Sequence, residues 1–142
     1  MTGHVHLWED DHHCYVCGEN NPEGMKLQFA VKDAALETAF TAEKRHQGYK
    51  DVLHGGILAM ILDEVMVLLP YRLFGTVVAS GEMTVKLKRP VEVGSRITVR
   101  ATFAASDTAP VAGQRVYRCA ADARLDDGVI VATATATCVK VR

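Results

Sequence analysis

The chain has little of what marks several common protein classes. Its 142 residues include four cysteines, four prolines and one tryptophan, and neither basic nor acidic residues dominate the formal net charge of -1. A balanced charge of this kind offers no electrostatic footprint for a polyanion, so we expect no nucleic-acid partner. Four cysteines in a chain of this length are better interpreted as thiols or metal ligands than as a disulfide framework.

The chain also lacks a segment typical of secretion or membrane insertion. Its beginning, MTGHVHLWEDDHH, has no basic stretch followed by an apolar run. The longest apolar stretch, residues 57–74, is interrupted by Asp63, Glu64, Pro70 and Arg72, whereas a membrane span needs about 20 mostly apolar residues. We therefore expect a cytoplasmic protein without a membrane partner.

The pattern of residues predicts a polar N-terminal loop segment, residues 1–24, followed by one domain, residues 25–142, with no internal repeat. Alternating residues predict strands, and turn residues such as Asp126-Asp127-Gly128 separate them. A run rich in Leu, Ile, Ala and Met predicts a helix from Gly55 to about Leu69, which Pro70 helps to stop. The predicted strands cover residues 26–32, 36–41, 76–88, 97–105, 111–125 and 129–141.

The predicted helix is apolar on nearly every side, with only Asp63 and Glu64 interrupting that surface. A helix of this kind is buried rather than lying on a solvated face. A sheet must therefore surround it. We predict an α+β fold in which a curved antiparallel sheet of about six strands wraps around one long central helix.

Two features of this helix suggest chemistry. Gly55 and Gly56 would start it with backbone N–H groups that lack intrahelical partners and that a ligand oxygen can approach closely. Asp63 follows Gly56 on nearly the same helical face, roughly 10 Å along the axis. A carboxylate among apolar neighbours is costly to bury unless it has a purpose, although a structural acid satisfied by backbone or by a second protomer would also fit. Glu64 points elsewhere and suits a polar interface contact or a salt bridge.

The N-terminal segment contains the ligand types that zinc prefers, in His12, His13, Cys14 and Cys17, with His4 and His6 upstream. A second Cys-x-x-Cys or a spaced histidine pair would strengthen this interpretation, and the sequence has neither. A turn that covers a neighbouring site is the simpler interpretation. We assign no metal and no cofactor from the sequence, and the metal-binding ability of this cluster stays open.

Three separated stretches carry a resemblance to a known family. They are Cys14-Tyr15-Val16-Cys17-Gly18 with Asn21-Pro22-Glu23-Gly24-Met25, His46-Gln47-Gly48 leading to His54-Gly55-Gly56 and Leu62-Asp63-Glu64, and Lys88-Arg89-Pro90 with Gly94. Together with the predicted order of elements, they resemble the hotdog-fold acyl-CoA thioesterases. The likeness is to the branch of the phenylacetate-pathway and mitochondrial long-chain enzymes.

This resemblance implies an enzyme that hydrolyses acyl-CoA to a carboxylic acid and CoA, at sites formed between the protomers of a homodimer or a dimer of dimers. The acid nine positions after the family's histidine is Asp63 here, as general base or nucleophile. The Gly55 amide would bind the thioester carbonyl, His54 would shape that pocket, and Ser80, ten positions before Pro90, would orient water.

The resemblance also implies residues that bind substrate. Gly56 belongs to the helix start, and Lys88 and Arg89 could reach CoA phosphates. Some relatives have an asparagine six residues before the histidine, where this chain has Gly48, and the neighbouring Gln47 could supply that amide instead.

Two rival functions remain possible at this level. A hotdog-fold hydratase would use an Asp-x-Asn-x-x-His arrangement, which Asp51-Val52-Leu53-His54 does not supply. A non-catalytic acyl-CoA-binding protein would keep the fold without turnover. Acyl chain length, an aryl preference and the choice between dimer and tetramer are beyond the sequence.

Overall fold

The computed structural model describes residues 8–141, which form one sheet and one long helix. The elements in chain order are β1 (Ala30–Lys32), β2 (Ala35–Thr41), a 3₁₀ turn (Lys44–His46), α1 (Gly55–Phe74), β3 (Val78–Leu87), β4 (Arg96–Phe103), β5 (Val116–Leu125) and β6 (Ile130–Lys140). The predicted architecture is confirmed: six antiparallel strands surround one helix.

The strands follow the order β1-β2-β4-β5-β6-β3, and every neighbouring pair is antiparallel. Helix α1 packs against all strands from β2 to β6. Its residues Ile61, Leu62, Val65, Met66 and Leu69 are fully buried and form the centre of the core. The sheet therefore holds α1 in place from Leu58 to its C-terminal end, and β3 lies at one edge.

The hairpin predicted at Asp126-Asp127-Gly128 is confirmed, and β1 and β2 form a second hairpin around a short turn. Asp33 and Ala34 both have positive φ, 50° and 60°, as in the turn type that joins two antiparallel strands by two residues. At the other hairpin, Gly128 has a φ of 89° and its N–H donates to the carbonyl of Leu125. Asp127 accepts from the amide of Val129 and completes that turn.

The first strand is shorter than predicted. Residues 26–29 do not join β1, because this segment bonds to the N-terminal loop instead: the amides of Met25 and Leu27 donate to the carbonyls of Tyr15 and Val16. The alternating pattern from Lys26 had suggested pairing along its whole length. Backbone hydrogen bonds to the N-terminal loop, which the alternating pattern does not reveal, replace the predicted pairing with β2.

The prediction that Pro70 helps to stop the helix is wrong, because α1 continues to Phe74. Pro70 is itself buried, and the next turn packs the half-buried Phe74 against the rings of Phe103 and Tyr117, at centroid distances of 5.7 and 6.1 Å. This packing outweighs the backbone hydrogen bond that a proline removes. Gly75, with a φ of 71°, ends the helix instead.

Strands β2 and β4 each begin one residue before their predicted bounds, whereas β3, β5 and β6 lie within theirs. No helix in the described range 8–141 has the length and apolar character that crossing a membrane requires.

Candidate active site

The start of α1 leaves one backbone amide available to a ligand. The ring of His54 caps the helix, since its Nδ1 accepts a hydrogen bond of 2.8 Å from the amide of Gly56. The amides of Ile57 and Leu58 donate to the His54 carbonyl. Among the residues that the structure describes, the Gly55 amide has no such partner. Of the two glycines predicted at this position, only Gly55 thus keeps a free donor.

Gly55 opens onto a cavity of about 600 Å³, here called the amide cavity. Its walls are the loop before α1 and the turn after β3. It is lined by Gly48, Tyr49, Val52, Leu53, His54, Gly55, Leu58, Leu87, Lys88, Arg89, Pro90 and Val91. Four of the predicted site residues, His54, Gly55, Lys88 and Arg89, therefore share one cavity.

Lys88 and Arg89 are exposed at the rim of the amide cavity. Their backbone amides both donate to the carbonyl of Val131, which fixes the turn that carries them. Neither side chain makes an ion pair with any residue in the described range. Both cations are thus available to an anionic ligand.

The loop before α1 is built around His54 and His46. His46 is buried, its Nδ1 accepts from the amide of Glu43, and its carbonyl accepts from the amide of His54 at 2.9 Å. Burial lowers the pKa of His46, and the neighbouring charge of Arg45 lowers it further. The carbonyl of His46 therefore anchors the backbone of His54.

Gly48 allows the ring of His54 to lie close to the loop. A Cβ at Gly48 would come within 3.3 Å of the His54 ring. The side chain of Gln47 does not line the amide cavity, because its Oε1 accepts from the amide of Asp51 at 3.0 Å. This contact gives Gln47 a place in the loop turn, while a role in substrate binding stays a prediction.

Asp63 lies in a different cavity, here called the acid cavity, of about 680 Å³. The residue is half-buried, and its Oδ1 is buried with no hydrogen-bond partner in the described structure. A buried carboxylate oxygen without a partner is unfavourable. Such an atom is typical of a site that binds a ligand or a catalytic water.

The acid cavity also contains Ser80. It is lined by Trp8, Glu9, Asp10, Cys14, Cys17, Asp63, Glu64, Val67, Leu68, Tyr71, Val77, Val78, Ala79 and Ser80. Ser80 lies opposite Cys138 in β6, and the register shifts between Ser80 and Glu82 at a β-bulge. Bulges redirect side chains next to functional sites. The predicted acid and the predicted hydroxyl thus share a cavity.

The two cavities have no lining residue in common. Gly55 and Asp63 are separated by about 12 Å along α1, given the rise of a helix. Within a single chain, the Gly55 amide and the Asp63 carboxylate therefore open onto different cavities. That the two groups serve one substrate stays a prediction.

Two contacts near Asp63 were not anticipated from the sequence. Glu64 accepts a hydrogen bond of 3.2 Å from the Cys14 thiol, rather than forming a salt bridge. Burial raises the pKa of the Cys17 thiol, and the nearby Glu64 raises it further. Cys138 lies on the other side of Asp63: its thiol accepts from Cys119, which lowers its pKa, while burial and the Asp63 charge oppose this. A contact between residues 50 positions apart, such as that of Cys14 with Glu64, leaves no local pattern in the sequence.

His12 and His13 are exposed and turn toward Asp10 and Asp11, away from Cys14 and Cys17. The four candidate zinc ligands of the N-terminal segment are therefore not brought together, although the two cysteines among them are adjacent to Glu64. His4 and His6 lie outside the described residues.

Comparison with known proteins agrees with this fold. A thioesterase superfamily model matches residues 50–108, which contain α1, β3 and β4. No curated protein sequence is significantly similar to the chain. A crystallised thioesterase superfamily protein is 21% identical with a TM-score of 0.77, and the match covers 91% of this chain but only 61% of that protein.

Two further crystal structures are informative. The phenylacetic acid degradation-related protein from Ralstonia eutropha JMP134, a putative thioesterase, is 24% identical with a TM-score of 0.67, over 80% of this chain and 83% of that one. A hypothetical thioesterase from Streptococcus pneumoniae TIGR4 was crystallised with coenzyme A; it is 16% identical with a TM-score of 0.70, over 81% of this chain and 88% of that one. The chain therefore has a hotdog fold, and its residues 50–108 are similar to the thioesterase superfamily.

Proposed function

We propose that this protein is an acyl-CoA thioesterase whose active site is completed by a second copy of the chain. The observation that carries the proposal is the division of two complementary groups: a free amide at Gly55 in one cavity and an unpartnered carboxylate oxygen at Asp63 in another. Hydrolysis of a thioester needs both a donor for the carbonyl oxygen and a base for water.

Strand β3 supports the pairing of two copies. It is an edge strand of ten residues, and most of its side chains are exposed, including Met83 and Leu87. A long exposed edge of this kind is a template for pairing with another chain. Two-fold symmetry would make the two β3 strands antiparallel, as in other isologous interfaces.

This pairing would join the two kinds of cavity. If Met83 lies opposite Thr84 of the second copy, Ser80 lies opposite the second copy's Leu87 by the same count. Ser80 lines the acid cavity and Leu87 lines the amide cavity. The acid of one protomer would then approach the amide of its partner, and a dimer would contain two complete sites.

In the proposed mechanism, the Gly55 amide donates to the thioester carbonyl, with the first turn of α1 favouring the negative charge that develops on that oxygen. Asp63 takes a proton from water as that water attacks the carbonyl carbon, and Ser80 holds the water. The tetrahedral intermediate collapses, the carbon–sulfur bond breaks, and CoA leaves as a thiolate that is then protonated. The presence of Ser80 in the same cavity as Asp63 favours this general-base role over direct attack by the carboxylate.

Lys88 and Arg89 would bind the phosphates of CoA at the mouth of the amide cavity, with the thioester end reaching Gly55. The coenzyme A complex of the streptococcal protein supports a ligand of this class.

The decisive experiment combines two inactive variants. Asp63→Asn removes the base, and Gly55→Pro removes the amide donor, since proline lacks an N–H and is tolerated at the first helical position. Co-expression with two affinity tags gives mixed dimers, in which one site has both defects and the other has neither. We expect thiol release from an acyl-CoA panel to return to about half the wild-type rate per dimer. Mixed dimers as inactive as their parents would contradict the shared site.

The mixed-dimer experiment requires that the wild-type protein hydrolyse acyl-CoA. If the wild type releases no thiol from acyl-CoA of any chain length, thioesterase function is excluded. Asp107→Asn, an exposed loop position, serves as the matched control and should retain full activity.

A further inference from the structure

Cys14, Cys17 and Glu64 form a cluster that the proposed hydrolysis does not use. One ligand atom from each residue lies within 4.8 Å of the others, and the Cys14 sulfur is 3.2 Å from Oε2 of Glu64. All three side chains are half-buried. The cysteines belong to the N-terminal loop, whereas Glu64 belongs to α1, so the cluster joins two distant segments.

The turn between the cysteines holds their sulfurs in position. The Gly18 amide donates to the Cys14 carbonyl at 2.8 Å. A Cβ at Gly18 would lie 2.4 Å from the Cys14 nitrogen and 2.6 Å from its oxygen, so only glycine fits. Val16, between the cysteines, is buried and accepts from the amide of Leu27. The ligand atoms are thus brought together by the backbone before any ion binds.

The cluster contains ligand atoms for a cation, and no positively charged side chain in the described range pairs with its carboxylate. Within the described range, Glu64 forms no ion pair, and it accepts hydrogen bonds from the thiols of Cys14 and Cys17. Two thiolates and one carboxylate are ligand types that Zn²⁺ binds, and a softer set than Mg²⁺ or Ca²⁺ prefers. Sites with three protein ligands leave a fourth position for water.

We propose that Cys14, Cys17 and Glu64 bind one Zn²⁺ ion, with water as the fourth ligand. The two thiols lose their protons to solvent on binding, and three negative ligands then face two positive charges. The ion would fasten the N-terminal loop to α1 and so fix one wall of the acid cavity. This site stands independently of the proposed function.

The test uses the full-length protein, reduced and freed of metal, and Co²⁺ as the spectroscopic probe. We expect one equivalent of Co²⁺ to produce thiolate-to-cobalt charge-transfer absorption in the near ultraviolet, and Zn²⁺ to displace it. The double variant Cys14→Ser with Cys17→Ser should lose this absorption. Glu64→Gln should weaken binding on the order of tenfold or more, while Glu23→Gln, an exposed acid in the same loop, should bind as the wild type does.

A second measurement covers the case in which the double cysteine variant does not fold. Zn²⁺ should raise the melting temperature of the metal-free wild type and of Glu23→Gln, because a ligand that binds only the folded state stabilises it. It should raise that of Glu64→Gln less. Absence of the charge-transfer absorption in the reduced wild type, or equal Co²⁺ binding by the wild type and Glu64→Gln, would overturn the proposal.

Discussion

The ring of His54 accepts a hydrogen bond of 2.8 Å from the amide of Gly56, and this bond determines which of the two glycine amides can bind a ligand. With the Gly56 donor occupied, the Gly55 amide is the one that faces the amide cavity without a partner among the described residues. The two glycines, equivalent in the sequence, thus have different tasks. Gly56 helps to fix the imidazole, and Gly55 remains available for an oxyanion.

We expect Gly55→Pro to lower kcat by about 10²- to 10³-fold, the usual cost of losing one oxyanion donor. His54 has φ and ψ of -61° and 127°, which suits a residue before proline. Steady-state kinetics and a circular dichroism melt would measure the effect.

Gly55→Ala is the matched control for that variant. It keeps the N–H while adding the same Cβ, which meets only the end of the Leu87 side chain at 2.7 Å. Its kcat should exceed that of the proline variant by at least tenfold. Equal losses in the two variants would mean that crowding, rather than the missing donor, lowers the rate.

Ser80 offers a test of the hydroxyl in the acid cavity. Ser80→Ala should lower kcat about fivefold, corresponding to one hydrogen bond of ~1 kcal/mol, and Ser80→Thr should keep most of the rate. Because Ser80 is exposed, the melting temperature should hardly change in either variant. An alanine variant with wild-type kcat would remove Ser80 from the mechanism.

Lys88 and Arg89 should contribute to substrate binding rather than to chemistry. We expect Lys88→Ala combined with Arg89→Ala to raise KM for acyl-CoA about three- to tenfold at low salt, with kcat retained. The difference should shrink as salt rises, because exposed charges are screened. Acyl-N-acetylcysteamine, which lacks the CoA phosphates, is the control substrate, and its KM should be the same for both proteins. A comparable rise in KM for acyl-N-acetylcysteamine would contradict phosphate binding by Lys88 and Arg89.

The buried His46 predicts a pH dependence of stability. Its pKa in the folded protein lies below the ordinary value of 6.5, so the unfolded chain takes up the proton more readily. The free energy of unfolding should therefore be unaffected by this group above pH 6.5, and should fall as the pH drops from there toward the folded-state pKa. Urea denaturation at a series of pH values measures it.

His46→Asn keeps an acceptor for the amide of Glu43 and removes the titrating ring. Its free energy of unfolding should decline less steeply between pH 6.5 and 5 than that of the wild type. His13→Asn, at an exposed position, should follow the wild type. A steeper decline in the His46 variant would show that other groups dominate the acid response.

The fold followed from local patterns to a large extent, and the failures have identifiable causes. Alternation and turn residues gave the β5-β6 hairpin, because Gly128 is needed at a positive φ whatever surrounds it. The prediction that Pro70 helps to end the helix failed because the packing of Phe74 against Tyr117 outweighs the backbone hydrogen bond that proline removes. The start of β1 was misplaced because its partners lie in the N-terminal loop, more than ten residues away.

The candidate site was harder to infer, since its parts depend on distances that no sequence spacing encodes. The capped start of α1 could be anticipated from His54-Gly55-Gly56, which form one local unit. The contact between Cys14 and Glu64 could not, because it joins a loop to a helix across 50 residues. The same holds for the two cavities: helical geometry relates Gly55 to Asp63, but only the packed sheet determines which space each one opens onto.

The division of Gly55 and Asp63 between two cavities has a kinetic consequence. On the proposed pairing, a monomer contains no complete active site, so the rate depends on protein concentration as well as on substrate concentration. Specific activity should fall on dilution toward the dissociation constant of the dimer and recover on concentration. Substitutions along β3 that never meet the substrate would then act as inactivating mutations, so that selection for turnover maintains the strand edge itself.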